Sequence, residues 1–165
     1  MRSLFIAAAL AIAPLAAVTV MAPVTAVAAE PKPTSKGGVT VAQLRKIVDG
    51  LGYETKDGTD KTSANFEFTI TESDLDIHIL AEQSQSTSYI WLKLAFDKLK
   101  PGQDAKTFLS QTASTQPAHF YLYSDGTLGM AMAIENRDVT PAVVKRGIDI
   151  LVNGAVSTQD YWLTD

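Results

Sequence analysis

From Ala64 to Phe96 the chain alternates between apolar and polar residues in three successive runs, and a period of two commits a segment to half-buried β-strand. In the first run Ala64, Phe66, Phe68 and Ile70 alternate with Asn65, Glu67 and Thr69. Glu72-Ser73-Asp74 turns the chain, and Leu75, Ile77 and Ile79 then alternate with Asp76 and His78. Gln83 to Ser88 is polar and reads as the next turn. The third run, Tyr89 to Phe96, sets Ile90, Leu92, Leu94 and Phe96 against Tyr89, Trp91, Lys93 and Ala95, so both of its faces carry apolar or amphipathic side chains. Three such runs with short connections predict an antiparallel meander.

Helical signals flank this meander. Thr40 can N-cap a helix whose apolar residues Leu44, Ile47, Val48 and Leu51 fall at i, i+3, i+4 and i+7, with Gly52 placed for a left-handed C-cap. Lys56 to Lys61 is a polar turn. Beyond the meander, Lys100-Pro101-Gly102 stops the third strand. Asp104 begins a helix with Ala105, Phe108, Leu109 and Thr112 on one side, closing near Ser114, and Gln116-Pro117 ends it. Ala118 to Ser124 and Thr127 to Ile134 read as a hairpin about Asp125-Gly126. Thr140-Pro141 then opens a last helix with a buried stripe of Val143, Val144, Gly147, Ile148 and Leu151. It runs to about Asn153-Gly154, with an extra turn toward Tyr161-Trp162. The expected fold is an α+β domain of order α-β-β-β-α-β-β-α, a five-stranded, mainly antiparallel sheet with helices packed on one face.

That order resembles a known family. A first helix ending in Leu51-Gly52-Tyr53, a three-strand meander, a middle helix, a hairpin carrying Tyr123-Ser124-Asp125-Gly126 and a Pro-started final helix together resemble the bacterial YbjN-like family, from Val39 to about Tyr161. The specificity lies in the order and spacing of these motifs. The resemblance implies a type III secretion chaperone-like fold, a role as a sensory transduction regulator, frequent homodimerisation and no catalytic residues. The leader described next departs from the cytoplasmic pattern of the chaperones with that fold.

Composition divides the 165 residues at Glu30. Residues 1–29 hold 23 hydrophobic residues and one charge, Arg2, whereas residues 30–165 are about 39% hydrophobic. Met1-Arg2-Ser3 is a short basic start, Leu4 to Ala13 is uninterrupted apolar sequence, and Ala26-Val27-Ala28 or Val27-Ala28-Ala29 supplies the small residues of a cleavage site. Pro14 and Pro23 interrupt the apolar stretch, which favours a cleaved signal peptide over a membrane anchor. Residues 30–38, with two prolines, two glycines and alternating lysines, read as a flexible linker, and residues 39–165 as the folded domain. The expected location is therefore exported, periplasmic or secreted. The chain has no cysteine, so disulfides, thiolate nucleophiles and a lipid anchor at the cleavage point are absent. From residue 30 onward 13 Lys and Arg face 18 Asp and Glu, which argues against nucleic acid or an anionic membrane as partner.

Motifs for chemistry are sparse. His78 and His119 lie on separate strands with no cysteine or His-x-x-x-His pair to complete a metal site. Glu72, Asp74 and Asp76 cluster at one turn but lack the loop and glycine of a calcium site. No Gly-x-Ser-x-Gly elbow or phosphate-binding glycine loop occurs. No catalytic, metal or cofactor residue is therefore expected; a hydrolase built on the Glu72 turn is the remote alternative. The feature with functional weight is the sheet face opposite the helices. If Phe66, Phe68, Ile77, Ile79, Leu92 and Leu94 point inward, Tyr89 and Trp91 point outward, joined by Tyr121 and Tyr123 on the fourth strand. The other parity of that strand would send Phe120 and Leu122 outward. Gly129, Ala131 and Ala133, at alternate positions of the last strand, permit close approach of a helix or a partner.

Aromatics with polar tips suit protein interfaces. The expectation is a non-catalytic module that binds a protein or peptide through this face, as a homodimer. Two counter-readings are cross-strand packing of the aromatics and coverage by Trp162 folding back. A second function is small-ligand sensing in a pocket between sheet and helices, lined by Phe108, Met130 or Met132. The leader yields the first prediction: amino-terminal sequencing of the exported protein should begin at Ala29 or Glu30, and a start at Met1 would show that no cleavage occurs.

Overall fold

A computed structural model describes residue 33 and residues 35–58 and 65–163. The expected signal peptide, residues 1–29, lies outside the described residues, as do the first part of the expected linker and the second half of the polar turn through Ala64. No helix among the described residues is long and apolar enough to cross a membrane.

The first helix, α1 (Val41–Gly50), starts in a capping box. Thr40 Oγ1 accepts the Gln43 N–H at 3.3 Å, and the Gln43 side chain accepts the Thr40 N–H at 2.9 Å. Gly52 follows the helix in the left-handed region at φ 93°, which lets the chain reverse toward the sheet. The reversal leads into β1 (Thr55–Asp57), a strand that the sequence pattern does not predict. Three residues, two of them charged, carry no measurable alternation. Arg45 of α1 holds the strand in place, donating to Thr55 Oγ1 at 2.8 Å, to the Thr55 carbonyl at 3.3 Å and to Asp57 Oδ1 at 2.6 Å. Among the described residues the sheet therefore has six strands, not the expected five.

The meander forms as predicted, in β2 (Asn65–Glu72), β3 (Leu75–Gln83) and β4 (Tyr89–Lys98), with β3 and β4 running further than their alternation suggests. Ser73 and Asp74 both take positive φ (52° and 64°) in the two-residue turn between β2 and β3, as a type I′ hairpin requires. The middle helix, α2 (Ala105–Thr115), is capped by Asp104. The hairpin comprises β5 (His119–Leu122) and β6 (Thr127–Glu135). Asp125 accepts the Thr127 N–H at 3.1 Å and hydroxyl at 3.0 Å; these bonds, with help from Lys98, hold its carboxyl below the usual carboxylate range. The last helix, α3 (Pro141–Ser157), outlasts the expected end at Gly154, because Gly154 is buried and faces Met130 and Thr115 across close contacts. A short α4 (Gln159–Trp162) follows.

All neighbouring strands are antiparallel, in the order β1-β2-β3-β4-β6-β5. The hairpin thus inserts its second strand beside β4 and leaves β5 at the edge. The reason is apolarity: Leu128 to Met132 are buried without a break, so β6 belongs in the interior, whereas β5 is short. The helices cover one face. Beneath them Phe66, Phe68, Ile77, Ile79, Ile90, Leu92, Leu94, Phe120, Met130 and Met132 pack with Leu44, Val48, Val144, Ile148 and Leu151 in one core. One residue on α2 departs from expectation. Leu109 does not join Phe108 in the core but stays 64% exposed, because α2 lies over the narrow edge strand and can bury little more than Phe108 and Thr115. From the same helix, Thr112 Oγ1 accepts the Phe120 N–H at 3.1 Å, closing part of the edge.

A buried asparagine ties the ends of these elements together. Asn136, fully buried just beyond β6, accepts the Val39 N–H at 2.8 Å and donates to the carbonyls of Val39 at 3.0 Å and Thr87 at 2.9 Å. The last residues of the segment expected to be a linker are also held here. Lys36 O accepts from Asp138 N–H at 3.1 Å and Gly37 O from Val139 N–H at 2.9 Å. Replacing Asn136 by alanine removes all three of these bonds; the Val39 carbonyl keeps the Gln83 side-chain amide at 2.9 Å, while the Val39 N–H loses the acceptor it has here, a loss of about 1–3 kcal/mol for a desolvated group besides the cavity left in a fully buried site. Asn136→Ala should therefore lower stability by at least about 2 kcal/mol in a denaturant titration, while Glu72→Gln, on the exposed turn, should change it by less than about 0.5 kcal/mol.

Candidate functional site

The face opposite the helices is built by register. Trp91 of β4 lies across from Glu82 of β3 on one side and Ala133 of β6 on the other, and Lys93 lies between Leu80 and Ala131. On β5, His119 pairs with Ala131 and Tyr121 with Gly129. Side chains from β4 and β5 therefore meet above β6, whose outward residues are too small to separate them. The Trp91 and His119 rings are 6.3 Å apart and nearly perpendicular. His119 and Tyr121 follow at 6.5 Å, and Tyr121 and Tyr123 at 4.9 Å. Edge-to-face pairs of this kind add about 0.5–1.5 kcal/mol each beyond their buried area.

Gly129 shows why the stripe of small residues exists. A Cβ there would stand 2.5 Å from Tyr121 Cζ, so the close approach it permits is that of the chain's own tyrosine ring. Tyr121 donates its hydroxyl hydrogen to Tyr123 Oη at 2.6 Å. Burial, reinforced by that bond, pushes the Tyr121 phenol above its ordinary value of 10.0. At the other end of the row, Lys93 and Glu82 form an ion pair, and the Lys93 ammonium lies 6.0 Å from the centre of the Trp91 ring.

Of the residues singled out from sequence, Tyr89 and Trp91 face outward on β4, and Tyr121 shares that face on β5. Tyr123 lies just past the strand, against Tyr121. Tyr89 (47%) and Tyr123 (39%) are the most exposed of the four, whereas Trp91 and Tyr121 are half-buried against their neighbours. The parity of β5 is settled by Phe120, which is buried on the helix side against Phe108 and Phe96. Trp162 does not cover the aromatic face. It stacks on Phe96 at 4.5 Å and donates its indole N–H to the Ala155 carbonyl at 3.0 Å, on the helix side.

Three members of the row escape a reading by residue type. His119, expected only to begin a strand, lies between Trp91 and Tyr121; Glu82 and Lys93 meet only because β3 and β4 pair in this register. Lys93 shares its parity with Trp91 and was accessible to that extent. Elsewhere, His78 is hydrogen-bonded to Thr69 at 2.9 Å, and Glu72, Asp74 and Asp76 are exposed. Among the described residues no group of three or more His, Asp or Glu could hold a metal ion.

A separate apolar groove of about 230 Å³ opens between α2 and the edge strand, lined by Ala105, Phe108, Leu109, Phe120, Tyr121, Leu122 and Leu128. Met130 and Met132, expected with Phe108 as lining of a pocket between sheet and helices, are buried in the core and do not line this groove.

The raised Tyr121 pKa has a defined sign in stability. An unfolded phenol ionises near 10 while the folded one stays protonated above it, so the folded state binds more protons there. That contribution is complete below about pH 10 and is lost as pH rises further. Unfolding free energy measured from pH 8 to pH 11 should therefore fall less steeply in Tyr121→Phe than in the parent, and equal slopes would count against a protected phenol.

Comparison with protein-family models, with curated proteins and with solved structures finds no match to this chain.

Proposed function

We propose that this chain is an exported, non-catalytic interaction module of YbjN-like type that binds a protein or peptide partner through the aromatic face of its sheet. The observation that carries the reading is the row Trp91, His119, Tyr121 and Tyr123 on a face that no helix among the described residues covers. These rings are already held by one another, so a partner gains a large amphipathic surface without the entropic cost of ordering it. Tyr89 and Tyr123 extend the row outward as its exposed ends. Export follows in this proposal from the basic start, apolar run and small-residue cleavage site of residues 1–29, and the regulatory role and homodimer from the family resemblance. A cytoplasmic effector-chaperone role is not part of it.

The groove between α2 and β5 favours a second reading, a site for a small apolar ligand, because its lining is almost wholly hydrocarbon. Phe108 is the one residue common to this groove and to the pocket expected from sequence.

The test of the first reading is recovery of partners from the exported fraction with tagged protein, in parallel with Trp91→Ala. A specific partner should be recovered by the parent and reduced at least about tenfold by the variant, the usual effect of removing a central aromatic anchor. Recovery that is indifferent to Trp91, with the variant shown to be folded by its thermal transition, overturns the aromatic face as the binding surface.

A further inference from the structure

We propose that two copies of this chain meet about a two-fold axis along the edge formed by α2 and β5. This rests on the homodimer of the first reading above and gives the apolar groove an occupant, a second copy, while the aromatic face stays open to another partner.

Exposed hydrocarbon gathers at this edge. Leu109 (64% exposed) and Leu122 (46%) line the groove together with the buried Phe108, Phe120 and Leu128. Tyr161 and Leu163 are exposed beside the start of α2, where the Gln103 side chain donates to the Tyr161 carbonyl at 3.1 Å. Apolar surface grouped in this way marks a contact site, whereas single scattered leucines do not.

Polar groups on the edge are prepared for burial. The hydroxyls of Ser110, Thr112 and Ser114 donate to carbonyls of their own helix at 3.0, 3.3 and 2.8 Å, so they keep these partners when α2 is covered. On β5 the Phe120 N–H is taken by Thr112, but Leu122 shares its parity and has no such cover. Tyr123, the next residue, donates its N–H to the Thr127 carbonyl of β6 at 2.9 Å, so the Leu122 N–H and carbonyl turn away from the sheet, and among the described residues neither has a partner. A residue that offers one donor and one acceptor outward is satisfied twice by the same residue of a second copy, antiparallel about a two-fold axis. That operation also brings the exposed leucines of each copy to the groove of the other.

Charge distribution favours a second copy here. From residue 30 onward acidic residues outnumber basic ones, 18 to 13, so two copies repel over much of their surface. Residues 105–124 hold one charged side chain, Lys106, and at their border Lys98 and Asp125 pair with each other at 3.5 Å. Like-charged copies can approach across this edge without that repulsion, and depletion of charge is the mark of an interface core.

The experiment is sedimentation equilibrium of the purified exported protein from about 1 to about 100 μM, with Leu109→Glu, Leu122→Glu and Leu122→Lys. The parent should dimerise, and each variant should weaken the dimer at least about tenfold, with an unchanged thermal transition because both positions are exposed. An equimolar mixture of Leu122→Glu and Leu122→Lys should dimerise where neither does alone, since the axis sets position 122 opposite itself. A mixture that stays monomeric overturns the two-fold contact at Leu122. A dimer that ignores all three variants overturns the edge as interface and leaves the homodimer standing; monomer at every concentration overturns both.

Discussion

Among the described residues helices cover only one face of the six-stranded sheet, and most of the architecture follows from that asymmetry. Alternate residues on each strand must satisfy opposite demands, so the inner set is nearly all aliphatic or phenylalanine and the outer set is polar or amphipathic. The outer face meets its demand differently across its width. Over β2 and β3 it carries charged and hydroxyl side chains such as Glu67, Thr69 and His78, which water can solvate. Over β4, β6 and β5 the central strand is too apolar for that solution. There the flanking strands roof it with their own rings, and Ala131 is as buried as many core residues.

This roof explains why the aromatic residues serve packing and surface together. Trp91 and Tyr121 shield β6 and are themselves fixed by edge-to-face contacts, while Tyr89 and Tyr123 remain open to solvent. Cross-strand stabilisation therefore does not require that every ring be buried. The sheet defines the positions of the rings, and the outer edges of Tyr89 and Tyr123 stay in contact with solvent.

Much of this was legible in the sequence because it depends on local periodicity. The parity of β2, β3 and β4, the caps at Thr40, Asp104 and Thr140 and the turn at Asp125-Gly126 each rest on a few neighbouring residues. What was not legible depends on pairing between distant segments. Nothing in residues 55–57 announces a strand until Arg45 is placed beside them, and nothing in the hairpin announces that β6 will separate β4 from β5. The site divides in the same way. Tyr89 and Trp91 follow from parity, whereas His119 joins the row, and Glu82 meets Lys93, through register alone. Gly129 had a readable signal, a small residue demanding close approach, but its counterpart turned out to be Tyr121 on the neighbouring strand.

The asparagine latch also has a consequence in time. Its bonds join positions 97 residues apart, so the start of α1 acquires its anchor only after nearly the whole domain has been synthesised. Closing so long a loop costs little more free energy than closing one of half the length, since the penalty grows only with the logarithm of length. Its effect is on order: the meander can pair early through short connections, while the amino-terminal segment must wait for β6. A clasp that shuts last leaves the amino-terminal segment free to move until residue 136 has been made and folded into place.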